Sequence, residues 1–251
     1  MRRLIAATIA FTALTVSALA ADLPVRPYAR PVVAPLGYNW NGFYIGAHLG
    51  GAWESRDFTQ TFGIVETGNH KPSGIMGGGQ VGYNWQFAPN WLLGVEADVS
   101  GADLTHTVST TSVGPAVVTW TDKLDLFGTV RGRLGYVVDN WLFYGTGGFA
   151  WADQETTRVQ SVAGPVSPPA GFAIKNTHTP TGWVAGAGVE WGFAPRWTAR
   201  VEYLHLDLEG TTWGFTSPLG PGGIAGTGVF AVNESRRTID TVRAGVNFLF
   251  N

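Results

Sequence analysis

Apolar side chains alternate with polar ones or glycine over much of the chain after residue 40. In one such stretch, Trp91, Leu93 and Val95 share one face, while Glu96 and Asp98 lie on the other. A repeat of two residues is typical of a β-strand whose two faces meet unlike environments. The pattern predicts eight strands, at 41–54, 75–87, 91–99, 123–136, 141–154, 183–193, 197–203 and 242–250.

The connections between these strands alternate in length. Three are tight turns and four are long: the turns at 88–90, 139–140 and 194–196, and the long connections at about 55–72, 106–118, 157–177 and 214–232. Such alternation is typical of outer-membrane barrels, whereas a soluble sandwich more often mixes connection lengths. We therefore expect an all-β fold, an eight-stranded antiparallel up-and-down transmembrane β-barrel with short periplasmic turns and long extracellular loops.

The polar face of these strands carries five acids and five bases. The interior of an eight-stranded barrel is only wide enough for side chains, so charges that point inward must be paired. A water-exposed outer face with mixed charges needs no such balance, and it stays open as the alternative. We expect an ion network in the lumen, formed by Glu96, Asp98, Lys123, Asp125, Arg131, Arg133, Glu190, Arg200, Glu202 and Arg243.

The alternation breaks once, on the seventh predicted strand. Leu204, Leu206 and Leu208 follow Arg200 and Glu202 on the even-numbered positions, so apolar residues continue the polar face. A β-bulge that shifts the register would explain the change. The strand leaving the membrane at that height would explain it equally well, and the sequence does not choose between the two.

Two similar segments, WQFAPNW at 85–91 and WGFAPRW at 191–197, place aromatic residues on both sides of a proline turn. Aromatic side chains are enriched where a barrel crosses a membrane–water interface. Trp141 and Trp151, and likewise Phe43 and Trp53, are ten residues apart. That spacing covers roughly 25 Å along the membrane normal for a strand tilted by about 40°. We expect a periplasmic aromatic girdle formed by Trp85, Phe87, Trp91, Trp141, Phe143, Trp191, Phe193, Trp197, Phe248 and Phe250.

Composition and the N-terminus narrow the class further. Only 14% of residues are charged, cysteine is absent, and the formal net charge is −2. The absence of cysteine excludes disulfides and thiolate metal sites, and the charge argues against a nucleic-acid partner. Two arginines, an apolar stretch and Ala18-Leu19-Ala20 form a secretory signal pattern. We expect a signal peptide at 1–20, a Pro-rich periplasmic leader at 21–39 and the outer-membrane β-barrel at 40–251.

The last predicted strand is similar to the terminal signal that the barrel-insertion machinery recognises. Arg243, Gly245, Phe248 and Phe250 occupy the positions of that signal, although Asn251 follows the final aromatic residue. The segments WNGFYIG at 40–46, YGTGGFA at 144–150 and RVEYL at 200–204 appear in an order and spacing found in one family. From about residue 21 to 251 the chain resembles the RopB-like, opacity-protein-like small outer-membrane β-barrel proteins of alphaproteobacteria.

This resemblance implies an eight-stranded barrel with exposed surface loops. Members of the family are associated with envelope integrity, host contact and, in some cases, haem binding, and no catalytic residue belongs to the family pattern. We expect a structural protein with no cofactor. Its expected partners are outer-membrane lipid and lipopolysaccharide, the barrel-insertion machinery, and a host or surface ligand at the loops. The alternatives are a small channel, a haem-binding or adhesion protein and, least favoured, a lipid-modifying enzyme.

Several smaller motifs do not change this expectation. Gly77-x-Gly79-x-x-Gly82 matches a dinucleotide fingerprint, but the segment that follows it is not helical in pattern. Ser109 and His106 lie in a predicted polar loop, where a catalytic pair is less usual than two solvated side chains. His70, His106 and His178 would bind haem or a metal only if the loops gathered them. Glu96 and Asp98 are better explained by ion pairs than by acid–base catalysis. No catalytic, cofactor or metal residue is therefore assigned.

Overall fold

The computed structural model describes residues 38–61, 65–70, 72–111, 117–162, 169–219 and 225–251. The predicted signal peptide and residues 21–37 of the predicted leader lie outside this part. Among the described residues no helix is long and apolar enough to cross a membrane. The described residues form eleven strands: β1 Gly42–Thr61, β2 Val65–His70, β3 Ser73–Ala88, β4 Trp91–Thr111, β5 Val117–Val138, β6 Trp141–Val162, β7 Ala173–His178, β8 Thr181–Ala194, β9 Trp197–Leu208, β10 Thr212–Leu219 and β11 Ala225–Leu249.

Eight of these strands form a closed antiparallel ring. The order is β1-β3-β4-β5-β6-β8-β9-β11, and β11 pairs with β1 to complete the circle. Each ring strand corresponds to one of the stretches predicted from alternation, with only residues 41 and 250 of those stretches outside the strands, so the expected fold class is confirmed. Closure gives every ring strand two neighbours, which leaves no edge along the part of the barrel that crosses the membrane.

The register advances by ten residues in one circuit of the ring. A path from Trp91 on β4 through successive cross-strand partners returns to β4 at Gly101. A stagger of this kind requires strands tilted by about 40° from the barrel axis. The tilt and the strand number together set a narrow interior that side chains fill.

Tight turns join the ring strands at one end, called here the short-turn end. Pro89 and Pro195 lie in two of these turns, where the fixed φ of proline favours a reversal. Asp139 and Arg196 adopt positive φ angles of 54° and 67° in the second and third turns. Aspartate tolerates this left-handed conformation better than most residues, which fits its place in a two-residue turn.

The opposite end, called here the loop end, contains more strand than the sequence pattern predicted. β1, β4, β6 and β11 continue well into the segments expected to be long loops. β2, β7 and β10 are additional short strands that fold back on the far ends of β1, β6 and β11. The loop prediction was therefore wrong over these residues, because threonine and valine give these segments a β-preference that turn residues nearby obscure.

Beyond the ring, the strands separate into two groups at the loop end. One group runs β10-β11-β1-β2 and the other β4-β5-β6-β7. Inward-facing Val118 and Trp120 of the second group pack with Val232 of the first. Phe172, Ile174 and Trp213 pack against this cluster. The two groups therefore share a small apolar core above the ring, so this end of the molecule is an ordered extension of the barrel.

The even-numbered positions of β9 face the lumen along its whole length. Its pairing with β8 runs without interruption from Leu208 to Thr198, so no bulge occurs there. Leu204, Leu206 and Leu208 are buried in the lumen and pack with Phe127 and Met76. The bulge explanation was therefore wrong, and the apolar residues continue the lumen face because the interior itself changes from charged to apolar. The exit of the strand from the membrane near this height stays a prediction.

Close approach of a tyrosine ring explains one glycine of the Gly77-x-Gly79-x-x-Gly82 motif. The motif lies in the middle of β3, whose backbone pairs with β1 on one side and with β4 on the other. A Cβ atom on Gly82 would lie 2.3 Å from the Tyr44 ring, whereas one on Gly79 would meet only a backbone oxygen at 3.6 Å. Gly82 points into the crowded lumen, and Gly79 points outward.

We expect Gly82→Val to destabilise the barrel and Gly79→Val to be tolerated. The added side chain at Gly82 must displace Tyr44 from its buried position, and overpacking of this kind costs about 1–3 kcal/mol. Urea unfolding of the refolded protein in detergent, followed by tryptophan fluorescence, measures the difference. Equal unfolding midpoints for the two variants would contradict the packing argument.

Candidate functional site

Eight buried charged side chains meet in the lumen just above the short-turn end. They belong to β4, β5, β8, β9 and β11, and all point inward because alternation places them on the lumen face. Four are acids and four are bases, so the cluster, called here the lumen network, is formally neutral. The members are Glu96, Asp98, Arg131, Arg133, Glu190, Arg200, Glu202 and Arg243.

Two arginines each bridge several carboxylates at the centre of the lumen network. Arg131 donates to Glu202 at 2.9 Å, to Asp98 at 3.0 Å and to Glu96. Arg243 lies 2.6 Å from Glu202 and 3.0 Å from Asp98. The two arginines lie on β5 and β11 and their carboxylate partners on β4 and β9, so the contacts cross-link opposite walls of the barrel. Buried charges are tolerable at this centre because Arg131, Arg243 and the carboxylates that they bridge each have two or more partners of the opposite sign.

Arg200 and Arg133 extend the lumen network towards the short-turn end. Arg200 donates to Glu96 at 2.5 Å. Arg133 lies 3.2 Å from Glu190, and its guanidinium is 5.1 Å from the Tyr44 ring and 4.9 Å from the Tyr144 ring. A desolvated guanidinium between two aromatic faces is stabilised by cation–π attraction as well as by its ion pairs.

A chain of neutral side chains connects to the lumen network. Ser100 and Gln80 contact the two ring nitrogens of His48 at 2.8 and 2.6 Å. Gln80 donates to Asn247 at 2.7 Å, and Asn247 donates to Glu190 at 2.7 Å. Sequence reasoning did not include these residues in the network, although Gln80 and Asn247 share its face. Their position on the polar face was the available signal. The network was predicted from the balance of acids and bases, and neutral residues do not contribute to that balance.

Lys123 and Asp125 do not belong to the lumen network, which corrects the sequence prediction. Both side chains are exposed. The pairing of β5 with β6 shifts between Leu124 and Leu126, and an extra residue at this β-bulge exchanges the two faces of the strand. Below the bulge the odd-numbered residues of β5 face the lumen, and above it the even-numbered residues do. The sequence prediction assumed one alternation along the whole strand and therefore assigned Lys123 and Asp125 to the wrong face. Removing one acid and one base leaves the remaining charges balanced.

Two further layers fill the lumen towards the loop end. An apolar layer lies directly above the lumen network and includes Phe127, Leu204 and Leu206. Above it, a second polar layer contains the Arg237–Glu54 ion pair at 2.9 Å. The interior of the described barrel thus alternates between charged, apolar and polar levels. The sequence prediction had a single charged lumen and did not find the apolar layer.

The short-turn end is closed from below by residues that precede β1. Trp40 is fully buried and packs with Leu92, Leu142 and Tyr144. Tyr38, from the end of the predicted leader, lies against Trp40 with a ring separation of 4.8 Å. Burial raises the pKa of the Tyr38 hydroxyl to about 12, and the negative charge of Glu190 adds to this shift.

The ten residues predicted as the aromatic girdle lie at the short-turn end, and nearly all have exposed side chains on the outer face. Trp141 stacks on Trp191 at 5.8 Å, and Trp197 meets Phe248 edge-on at 5.1 Å. Contacts between neighbouring strands therefore join the aromatic residues into a band. Those with exposed side chains are Trp85, Phe87, Trp91, Trp141, Phe143, Trp191, Phe193, Trp197 and Phe250, while Phe248 is half-buried. The role of the band as an interface anchor stays a prediction.

A second aromatic level marks the other limit of the apolar outer surface. Trp53, Trp151 and Trp183 point outward near the loop end. At or just above this level, aspartates point outward from five ring strands. Because a carboxylate is costly in hydrocarbon, these residues set the upper limit of the lipid-facing band. They are Asp103, Asp125, Asp153, Asp207 and Asp240.

The remaining motifs lie away from the lumen network. Ser109 is on β4, where its hydroxyl contacts that of Thr119 at 3.2 Å, and it is not in a loop. His178 lies on β7 near Glu234, while the side chains of His70 and His106 are outside the described set. Within the described residues, no group of three or more His, Cys, Asp or Glu side chains is arranged to hold a metal ion.

The residues of the predicted insertion signal divide between two surroundings. Arg243 is part of the lumen network, and Gly245 lies two residues further along the same strand, β11. Phe248 and Phe250 contact each other at 5.2 Å in the aromatic band. Their recognition by the insertion machinery stays a prediction.

We expect Arg131→Gln to destabilise the folded barrel by about 3–5 kcal/mol, because it leaves buried carboxylates without their shared partner. The matched control is Lys175→Gln, which removes an exposed ion pair with Glu155 and should cost about 0–1 kcal/mol. Urea unfolding in detergent measures both, and adding Glu96→Gln to Arg131→Gln should recover part of the loss. Equal stability of the two single variants would contradict the account of the network.

The chain matches a known protein family and several known proteins. The family described as "Outer membrane protein beta-barrel domain" matches residues 6–233. The 31 kDa outer-membrane immunogenic protein of Brucella melitensis is 34% identical over 220 residues, covering 83% of this chain and 88% of that protein. The 22 kDa outer membrane protein of Rhizobium leguminosarum is 33% identical over 70% of this chain and 68% of its own.

Among solved structures, OprG from Pseudomonas aeruginosa covers 85% of this chain and 99% of its own at 14% identity, with a TM-score of 0.49. The expected relationship to alphaproteobacterial outer-membrane proteins and the expected location in a Gram-negative outer membrane are both confirmed by the family match and the two named relatives. The chain belongs to the outer membrane protein β-barrel domain family.

Proposed function

We propose that the protein is a closed structural barrel that contributes to the integrity of the outer membrane and presents ordered hairpins at the cell surface. The observation that supports this best is the filled lumen. The lumen network and the apolar layer lie one above the other, and each spans the interior. Residues 1–20 act in export, 21–39 form a periplasmic leader, and the end of β11 carries the insertion signal.

The two layers oppose ion passage by different physical means. The lumen network holds its own charges in place through multiple contacts, so a passing ion must compete with existing ion pairs. The apolar layer offers no polar partner, and moving a bare ion into a medium of low dielectric constant costs on the order of 20 kcal/mol in the idealised limit. Two barriers in series are more effective than either one alone, which favours a structural role over a channel.

The surface role rests on the extension at the loop end. The two groups of strands share the apolar cluster that includes Val118 and Trp120, so the hairpins have a supported shape. Ordered, exposed hairpins are suited to contact with other molecules. The Brucella relative is an outer-membrane immunogenic protein by name, which is consistent with surface exposure of the corresponding segments.

We expect no steady conductance from the refolded protein in planar bilayers. A variant that opens only the apolar layer, with Phe127→Ala, Leu204→Ala and Leu206→Ala, should also be silent, because the lumen network still closes the barrel. Single-channel recording at several voltages measures both proteins. Large, steady currents from the unmodified protein would overturn the closed-barrel proposal and favour the channel.

We expect deletion of the gene to increase the sensitivity of the bacterium to detergent and to large antibiotics that an intact outer membrane excludes. Expression of the unmodified chain or of Arg236→Gln, which removes an exposed contact with Asp207, should restore resistance. Arg131→Gln should restore less because less folded barrel is present. Killing curves, read beside the amount of folded protein in outer-membrane fractions, test this. An unchanged sensitivity after deletion would rule out the envelope role.

A further inference from the structure

The outer surface of the β4-β5-β6-β7 group carries a regular set of hydroxyl groups beyond the aspartate level. Cross-strand pairing places Thr107, Thr121 and Thr157 in one row, with Lys175 at its end. The side chains in this set are exposed or half-exposed. We call it the hydroxyl face, and it comprises Thr105, Thr107, Ser109, Thr119, Thr121, Lys123, Glu155, Thr157, Ser161, Lys175 and Thr177.

The hydroxyl groups are held in place by contacts with one another. Thr119 lies 2.9 Å from Ser161 and 3.2 Å from Ser109, and Thr107 lies 3.4 Å from Thr121. A hydroxyl group has one donor and two acceptor sites, so these contacts leave capacity on each group for an external partner. The hydroxyl face is therefore a preorganised array, built on strands about 4.8 Å apart.

The height of the hydroxyl face is set by the strands that carry it. Asp153 and Trp151 mark the upper limit of the lipid-facing band on β6. Thr157 is six residues beyond Trp151 on that strand. It therefore lies roughly 15 Å farther out, at about 3.3 Å per residue and a tilt of about 40°. The side chains of the hydroxyl face point outward, on the same side of the strands as the lipid-facing residues below them. They therefore contact the layer that lies directly above the lipids of the outer leaflet.

The hydroxyl and ammonium groups of the hydroxyl face favour a hydroxyl-rich partner that also carries anionic groups. Lys123 and Lys175 are exposed and Glu155 is paired with Lys175 at 2.8 Å, while the outward Asp103, Asp125 and Asp153 lie one row nearer the membrane. In an outer membrane, the layer above the lipid headgroups is the saccharide core of lipopolysaccharide, whose innermost sugars carry carboxylate and phosphate groups. Hydroxyl groups and ammonium groups supply the donors and acceptors that such a saccharide needs.

We propose that the hydroxyl face binds the saccharide core of lipopolysaccharide molecules in the same outer leaflet. The apolar band below it contacts the acyl chains, and the two surfaces are continuous on the same strands, so one lipopolysaccharide molecule meets both. The contact fixes the side of the barrel that faces these lipids. This inference depends on the outer-membrane location and is independent of the closed lumen, so conductance measurements do not decide it.

The test uses the full chain refolded into phosphatidylcholine nanodiscs that contain either lipopolysaccharide with a complete core or lipid A alone. The test variant combines Thr107→Val, Thr121→Val and Thr157→Val, which keep the side-chain shape and the β-preference while removing three hydroxyl groups. The matched control combines Thr181→Val, Thr212→Val and Thr238→Val, three threonines on the outer face of other strands. Native mass spectrometry counts the lipids retained by each barrel.

We expect the test variant to retain core-bearing lipopolysaccharide about tenfold less well than the unmodified chain, from the loss of three hydrogen-bonding groups. Retention of lipid A alone should be unchanged, and the control variant should behave like the unmodified chain. Unchanged retention in the test variant would overturn the proposal. Equal loss of both lipids would overturn it as well, because the face would then act on the membrane anchor and not on the saccharide.

A second variant keeps the proposal testable if the threonine variant does not fold. Lys123→Gln with Lys175→Gln should lower retention of core-bearing lipopolysaccharide and leave lipid A unaffected, and no effect would count against the proposal. Because the chain has no cysteine, Thr121→Cys can be labelled with a membrane-impermeant maleimide in intact cells. Labelling only after permeabilisation would place the face in the periplasm and overturn the proposal.

Discussion

Closure of the ring by the pairing of β11 with β1 is the constraint from which the rest of the structure follows. In hydrocarbon every backbone N–H and C=O must find a partner within the protein, so an open sheet is not viable. Eight strands with a stagger of ten residues satisfy this requirement and also determine the radius. The narrow interior then has no room for bulk water, which places strict conditions on every inward side chain.

The lumen meets these conditions in two ways. Where charges point inward, Arg131 and Arg243 each engage several carboxylates, and the neutral side chains of Gln80 and Asn247 form a hydrogen-bonded chain to Glu190. Where no charge is present, Leu204 and Phe127 fill the space by packing. Glycines such as Gly82 are as necessary as the large residues, because the Tyr44 ring lies over its cross-strand partner on β3 and fits only where that position has no side chain.

The ring could be predicted from sequence because each strand has one face towards lipid and one towards the lumen, and this difference produces the alternation of apolar and polar residues. Glu96, Asp98, Arg131 and the other charges of the lumen network followed from the same parity, whereas the Arg237–Glu54 pair nearer the loop end was not predicted. Lys123 and Asp125 did not, since an inserted residue at a bulge exchanges the faces without altering the local apolar pattern of Leu124 and Leu126. The short strands β2, β7 and β10 were also missed, because their identity depends on pairing with the ends of longer strands, and single-strand patterns do not contain that information.

The change of partner along β1, β6 and β11 has a consequence for how this chain can vary over evolution. Each of these strands pairs with a ring neighbour in its lower part and with a short strand in its upper part. The hairpins thus take their position from the ring, whereas the backbone bonds of the ring are complete without them. Surface segments can therefore diverge, lengthen or be exchanged while the membrane-embedded circle keeps its register, so the variable and the constrained parts of the molecule lie on the same strands.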